Sequence, residues 1–313
     1  MVIISTSFSK LKKYKYSNSI ISIGSFDGIH LAHKKIFDKM NILKNKENGK
    51  TIVITFNPHP RFIINRNRVK QKYLLSGLGN KISLIKKFNI DILVILSFTK
   101  KTASITAANF LNKINTSFNP IHFVMGYSHS FGYKREGDAA FMRINSKERF
   151  KVHLIKEQRL GKESISSTQI RNYISTDQIN KANRLLNRKY SIKGFVIRGC
   201  GIGRKINFPT INIKVSDIHQ LIPSVGVYFV QVKIKNNLYL GMCNIGFRPT
   251  LTNSKEESIE VHIFSVGIAK NFYKKEVEVF FIKYLRNEKK FKNLDFLKRQ
   301  LEKDKQLCLS LER

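Results

Sequence analysis

Acidic residues are scarce in this 313-residue chain: 21 Asp and Glu stand against 57 Lys and Arg, a formal net charge of +36. Such an excess commonly marks a nucleic-acid or anionic-membrane partner, but its distribution argues for something plainer. Residues 1–188 hold 34 basic and 10 acidic groups and the rest 23 and 11, so the charge is spread over both halves with no basic tail or Arg-rich arm. It reads as a Lys-, Asn- and Ile-rich composition over solvated faces, attractive to phosphates, with no specific nucleic-acid partner; a basic nucleic-acid-binding protein stays open as an alternative of a different class. Cysteine is nearly absent. Cys200, Cys243 and Cys308 are odd in number and far apart, which excludes a disulfide framework and a zinc cluster and fits a reducing compartment. Long apolar runs are also missing. No stretch approaches the roughly 18 apolar residues that span a bilayer, and the opening M-V-I-I-S is too short for a signal-peptide core. A soluble, cytoplasmic protein with no membrane partner is expected, and at 42% hydrophobic residues it is long enough for two domains.

What is present is organised around residues 20–33, I-I-S-I-G-S-F-D-G-I-H-L-A-H. An apolar run of Ile20, Ile21 and Ile23 stops at Gly24, a turn with Asp27 and Gly28 follows, and Ile36, Phe37, Met40 and Leu43 then recur at helical spacing. Strand, loop, helix is the junction where open α/β sheets bind ligands, and a helix start offers N–H groups and a positive dipole end to an anion. His30 and His33, three apart, project from the same side of the first turn. Such a pair can steady charge on a phosphoryl group under attack. A surface pair or half a zinc site is the plainer reading of the spacing alone, but no Cys or third ligand lies nearby to complete a metal site.

Further buried-strand patterns lie at 51–56, 91–98, 121–126 and 152–155, separated by helical segments near 80–88 and 106–114. This alternation predicts an α/β unit, a doubly wound parallel sheet covered on both faces, with strand ends directed to one functional edge. The strand at 51–56 runs into Asn57-Pro58-His59-Pro60, whose prolines predict an extended loop carrying His59 to that edge. Ser166 or Ser167 is a fair N-cap for a helix through Tyr173 that presents hydroxyls and Arg171 to an anion.

A linker helix is predicted over 177–187, after which the period changes to two. Six short strands with Gly and Pro punctuation predict a small antiparallel β-barrel, followed by an amphipathic helix over 291–309. Gly199, Gly201 and Gly203, with Arg204 beside them, let the backbone curl around phosphate oxygens, although hairpin turns use the same residues. Alternation places Ile259, Val261 and Ile263 on one face and Glu260 on the other.

Four blocks in the first half and several in the second resemble the prokaryotic bifunctional riboflavin kinase/FAD synthetase family. They are G-x-F-D-G-x-H-x-x-H at 24–33, F-N-P-H-P at 56–60, the G-Y-S-H-S-F-G loop at 126–132 and S-S-T-x-I-R at 166–171. In the second half come G-R-x-x-x-F-P-T-x-N at 203–212, N-I-G-F-R-P-T at 244–250, I-E-V-H-I-F at 259–264 and L-R-N-E at 285–288. The resemblance implies a nucleotidylyltransferase-like FMN adenylyltransferase over 1–188 and a riboflavin kinase-like, six-stranded barrel over 189–313. Together they would make FMN and then FAD from riboflavin and ATP with Mg²⁺. It further implies that His30 and His33 are catalytic in adenylyl transfer, and that Gly24, Phe26, Asp27, His59, Ser167, Thr168 and Arg171 bind ATP there. In the barrel it implies Glu260 as catalytic base, Thr210 and Asn212 as holders of Mg²⁺, and Gly199, Gly201, Gly203 and Arg204 around phosphate. Ser128, Phe131 and Arg286 are the implied flavin contacts. The chain departs from the family pattern at Ala32, usually Gly, at Ile211, usually Ala, and at Ser128 and His129, where relatives carry Asp or Asn and an aromatic. The last departure keeps a kinase without adenylyl transfer as an alternative.

Overall fold

The structure, a computed structural model, describes the chain except for residues 65–71, 147–148, 200, 249–255, 265–271 and 313, and the side chains of 202, 205, 248 and 256. Cys200 and the Pro249-Thr250 end of the block at 244–250 therefore lie outside the described residues. Two compact units divide the chain: Met1–Gln71 with Ser76–Ser167, and Lys72–Leu75 with Thr168–Arg313. Among the described residues no helix is long and apolar enough to cross a membrane.

The first unit holds a six-stranded sheet of β1 (Val2–Thr6), β2 (Ser19–Ile23), β3 (Lys50–Asn57), β4 (Ile92–Ser97), β5 (Pro120–Gly126) and β6 (Lys151–Ile155), in the order β1-β4-β3-β2-β5-β6 with parallel pairing throughout. Its strands read as unbroken apolar runs because both faces are covered. Ile52, Ile54 and Phe56 turn to one core, beneath helix α3 (Ala107–Phe118) with Phe110, Leu111, Ile114 and Phe118. Val53 turns to the other, beneath α1 (Leu31–Glu47) and α2 (Leu78–Lys86) with Phe37, Met40 and Ile85. The doubly wound sheet expected from sequence is present, and β1 is an addition to it. Five residues at a chain end carry little periodic signal, but V-I-I-S-T is rich in β-branched residues and completes the edge beside β4.

Because β2 pairs with β3 on one side and β5 on the other, the winding direction reverses at β2. A crevice opens outside the carboxyl ends of strands at such a reversal. The β2–α1 loop and the loop after β5 both leave from it.

The second unit contains α4 (Ser167–Ser175, from Thr168 on), α5 (Ile179–Leu186) and a closed barrel. Its strands are β7 (Tyr190–Ile197), β8 (Thr210–Val215), β9 (Gly226–Ile234), β10 (Asn237–Arg248), β11 (Glu256–Ile263) and β12 (Glu276–Arg286), in the order β8-β11-β10-β9-β12-β7. Tyr228, Val230, Cys243, Val261, Val279 and Phe281 are fully buried and fill its interior. Phe229 and Met242 alternate to the outside and are covered by Cys308, Leu297 and Leu301 of the C-terminal helix α6 (Leu294–Ser310). Asn293 caps α6 by accepting from the Phe296 N–H at 3.1 Å.

One buried ion pair ties α6 to the barrel. Arg286 donates Nε at 3.0 Å and Nη2 at 2.6 Å to the two carboxylate oxygens of Asp304, which Gln300 also reaches at 2.9 Å. Asp304 is 3% exposed. Removing one member of such a pair leaves a buried charge uncompensated, at a cost of about 3–5 kcal/mol. Asp304→Ala is therefore expected to lower unfolding free energy by about 3 kcal/mol in a urea titration; an unchanged midpoint would mean the pair contributes nothing.

Candidate functional site

In the first unit the chain leaves β2 through a loop that few sequences adopt. Phe26, Gly28 and Ile29 all have positive φ, at 44°, 82° and 38°, and only the glycine does so without strain. Hydrogen bonds hold it there. The Asp27 carboxylate accepts from the Ser76 N–H at 3.1 Å, Gly28 N–H donates to the Ser76 hydroxyl at 3.2 Å, and the Ser167 hydroxyl donates to the Asp27 carbonyl at 2.9 Å. Asp27 is 1% exposed. It acts on the loop rather than on solvent. Phe26 folds back, so that a Cβ on Gly24 would come within 3.1 Å of its ring.

The loop delivers His30 to the N-cap of α1, buried, with His33 one turn on. Their rings stack at 3.7 Å between centroids, 17° from parallel, and Phe26 packs edge-on against His33 at 5.2 Å. His33 Nδ1 accepts the His30 backbone N–H at 3.4 Å. An Nδ1 that accepts leaves the proton of the neutral ring on Nε2. The sequence expectation of two imidazoles side by side at a helix start is met, in a tighter form than spacing alone implies.

His59 follows β3 at the same edge but does not lie in an extended loop: Pro60 begins a short helix, Pro60–Ile64. The helical turn is compatible with proline in first position, where no N–H is required. His59 Nδ1 accepts the Arg61 N–H at 3.2 Å. After β5, Ser128 is exposed, whereas Phe131 is 7% exposed and packs on Phe110 and Phe141 in the core. His129 between them stacks toward Phe131, with its Nε2 closed off from solvent. Ser167 opens α4 as a clamp on Asp27 and was expected as a cap.

In the second unit Thr168 is exposed, and Arg171 donates Nε to the Tyr73 carbonyl at 2.8 Å with its guanidinium 3.7 Å over the Tyr73 ring. The barrel site lies on its outer face. Asn212 on β8, Glu260 on β11 and Asn244 on β10 are register partners in one row, and Thr210 is paired with His262 two residues along. Directly paired residues share a face. Asn244 also donates to Glu288 at 3.1 Å, and the His262 ring bonds the Pro209 carbonyl at 2.9 Å, just before Thr210. Both lie in blocks that carry the resemblance, but neither is given a role there, since a strand Asn or His has no periodic signature.

The glycines expected to curl around phosphate meet these same side chains. A Cβ on Gly199 would come within 1.9 Å of the Asn212 amide nitrogen, and one on Gly203 within 2.2 Å of the Phe208 carbonyl oxygen and 3.6 Å of the Thr210 hydroxyl. Gly201, at φ 73°, opens the short helix Ile202–Lys205, which bears the exposed Arg204. Arg286, expected beside flavin, is placed on Asp304.

A reversal-point crevice with helix-start imidazoles in one unit, and a glycine-lined row of Asn, Glu and Asn in the other, are arrangements suited to phosphate transfer. Comparison with known proteins agrees with them. A riboflavin kinase family model matches residues 186–311 and a FAD synthetase family model matches residues 12–169. Proteins named bifunctional riboflavin kinase/FMN adenylyltransferase are similar along most of the chain. The one from Buchnera aphidicola subsp. Schizaphis graminum is 38% identical, covering 94% of each chain, and that from Listeria monocytogenes 34%, covering 92% of this chain and 91% of the other. That from Bacillus subtilis is 30% identical, covering 95% and 93%. A solved structure titled as a macrolide-efflux protein from Streptococcus pneumoniae superposes with a TM-score of 0.89 at 27% identity, covering 98% of this chain and 99% of that one. The chain belongs to the bifunctional riboflavin kinase/FMN adenylyltransferase family. With the FAD synthetase model matched as well, the kinase-only alternative is not favoured.

His129, at the departure from the family pattern, is electrostatically distinctive. Burial, and then the Arg135 charge, push its pKa down to about 4. The imidazole is expected to stay neutral through the range near 6.5 where ordinary histidines titrate, with its NMR-detected midpoint near 4. Between those values the unfolded chain takes up the proton first, so this group makes stability decline as pH falls. A midpoint near 6.5 would show the ring to be solvated.

Proposed function

We propose that the chain converts riboflavin to FMN and FMN to FAD in two successive ATP-dependent steps, phosphorylation by residues 189–313 and adenylylation with release of pyrophosphate by residues 1–188. The observation that carries the reading is the Asn212–Glu260–Asn244 row beside Gly199 and Gly203, in a chain whose other half stacks His30 and His33 at a reversal-point loop. Glu260 is the general base that takes the proton from the ribityl hydroxyl as it attacks the γ-phosphoryl group of ATP. Asn212 and Asn244 flank it and orient its carboxylate. Gly199, Gly201, Gly203 and Arg204 admit and bind the phosphates.

The residues present suit Mg²⁺. Thr210 and Asn212 offer hard oxygen donors, and the cradle around Asn212 is one that a Cβ on Gly199 would fill. Among the described residues no group of three or more His, Cys, Asp or Glu converges as a metal cage. A few oxygen ligands completed by substrate phosphates is the arrangement magnesium uses. When bound, the ion neutralises charge on the transferring phosphoryl group.

In the first unit the FMN phosphate attacks the α-phosphorus of ATP. His33, its Nδ1 engaged by the His30 backbone, turns Nε2–H toward developing charge, and His30 stacked against it shares that work. Within this unit Gly24, Phe26, His59 and Ser167 hold ATP, Asp27 acts through the loop it braces, and Ser128 with Phe131 borders the flavin. Arg286 serves flavin binding in the barrel through the α6 attachment it makes with Asp304. The enzyme works in the cytoplasm.

Incubation with riboflavin, ATP and Mg²⁺, followed by chromatography, is expected to yield FMN and then FAD. Glu260→Gln should lower FMN formation at least about a hundredfold while FAD formation from supplied FMN continues, and His30→Ala should do the reverse. Loss of both activities in either variant would refute the division of labour.

A further inference from the structure

Among the described residues Lys81 is the only lysine or arginine that is buried, with 5% of its surface exposed. It stands on α2 beneath the β2–α1 loop. Its Nζ donates to the Ser25 carbonyl at 2.7 Å and lies 3.5 Å from the Thr55 hydroxyl, which itself donates to the same carbonyl at 3.2 Å. Two donors, one of them cationic, converge on a single peptide oxygen. Burial pushes the pKa of the ammonium down, and the nearby Asp27 carboxylate opposes that shift. An apolar side chain would fill this space without the desolvation cost, so the charge calls for an explanation in terms of the loop.

Peptide geometry supplies one. The cis bond recorded among the described residues is Asn57–Pro58, so the Ser25–Phe26 peptide is trans. In a planar trans unit the C=O and N–H point in opposite directions. With the Ser25 oxygen held on the Lys81 side, the Phe26 N–H points away from Lys81. Phe26 has φ 44°, a conformation its own side chain disfavours, so the preceding peptide needs an external hold.

We infer that Lys81 is a positioning residue for nucleotidyl transfer: by fixing the Ser25 carbonyl it aims the Phe26 N–H at the polyphosphate of the nucleotide, an inference that rests on the adenylyltransferase reading of this loop. A buried cation behind the loop adds positive potential where that anion docks. Lys81 touches neither substrate. It acts through one peptide.

The test uses the full chain with Lys81→Met, which keeps the length and removes the charge, and Lys81→Arg, which keeps the charge. FAD formation from FMN, FMN formation from riboflavin and a thermal melt are measured for each. Lys81→Met should lower kcat for FAD formation about tenfold or more while FMN formation stays at the wild-type rate, and Lys81→Arg should retain most of the activity. In the wild type, FAD formation should fall on the alkaline side below the ordinary lysine value of 10.5, as Lys81 loses its proton. Arg should move that limb upward, since guanidinium does not titrate there. The groups facing Lys81 are Asp27 and Ser25 of the loop and Thr55 of β3. Wild-type FAD formation by Lys81→Met, or equal loss in both variants in step with their melting, would overturn the inference. A wild type that makes FMN but no FAD would refute the adenylyltransferase reading itself, and the Lys81 role with it.

Discussion

The two-sided parallel pairing of β2 is the constraint on which the first unit depends. A strand flanked by β3 and β5 must be buried on both faces, and S-I-I-S-I is buried at all five positions. The connection after β2 runs to β3 on one side and the connection after β5 runs to β6 on the other, so neither covers the carboxyl end between them. The β2–α1 loop occupies that opening. Its left-handed residues are tolerable because Ser76, Ser167 and Lys81 bond it from behind, leaving the side toward the helix start to His30 and His33.

The barrel reaches a phosphate-ready surface by a different route. There the backbone must come close to side chains, and Gly199 and Gly203 do so at distances that no other residue allows. Glu260 is half-buried between two neutral amides, so its negative charge is flanked by groups that can bond it without cancelling it. Burial pushes the Cys243 thiol upward, and Glu260 adds to the shift, so that sulfur is inert packing.

Much of this was legible in the sequence. Runs such as T-I-V-I-T-F announce strands buried on both faces, and the change to alternation after Tyr190 announces the barrel. The helix start at His30 and His33 and the close approaches at Gly199 and Gly203 were readable from local spacing, while their roles rest on the resemblance. Other features depend on distant partners and leave no local trace. Lys81 looks like any surface lysine until α2 is laid under the loop. The pairing of Arg286 with Asp304, eighteen residues further, cannot be read from either residue's neighbours. The turn after Pro60 was missed because proline excludes helix before itself, not after.

β1 closes the β4 side of the sheet, and among the described residues no strand pairs with its outer backbone row, while V-I-I-S-T brings no charge to guard it. The opposite edge, β6, carries Lys151 and His153, and the barrel has no edge at all. An uncharged, open strand edge is a template for pairing between molecules. The large positive charge opposes such pairing by mutual repulsion, a force that acts over about 8–10 Å at moderate ionic strength and shrinks as electrolyte is added. Colloidal stability here is a property of the solvent as much as of the fold.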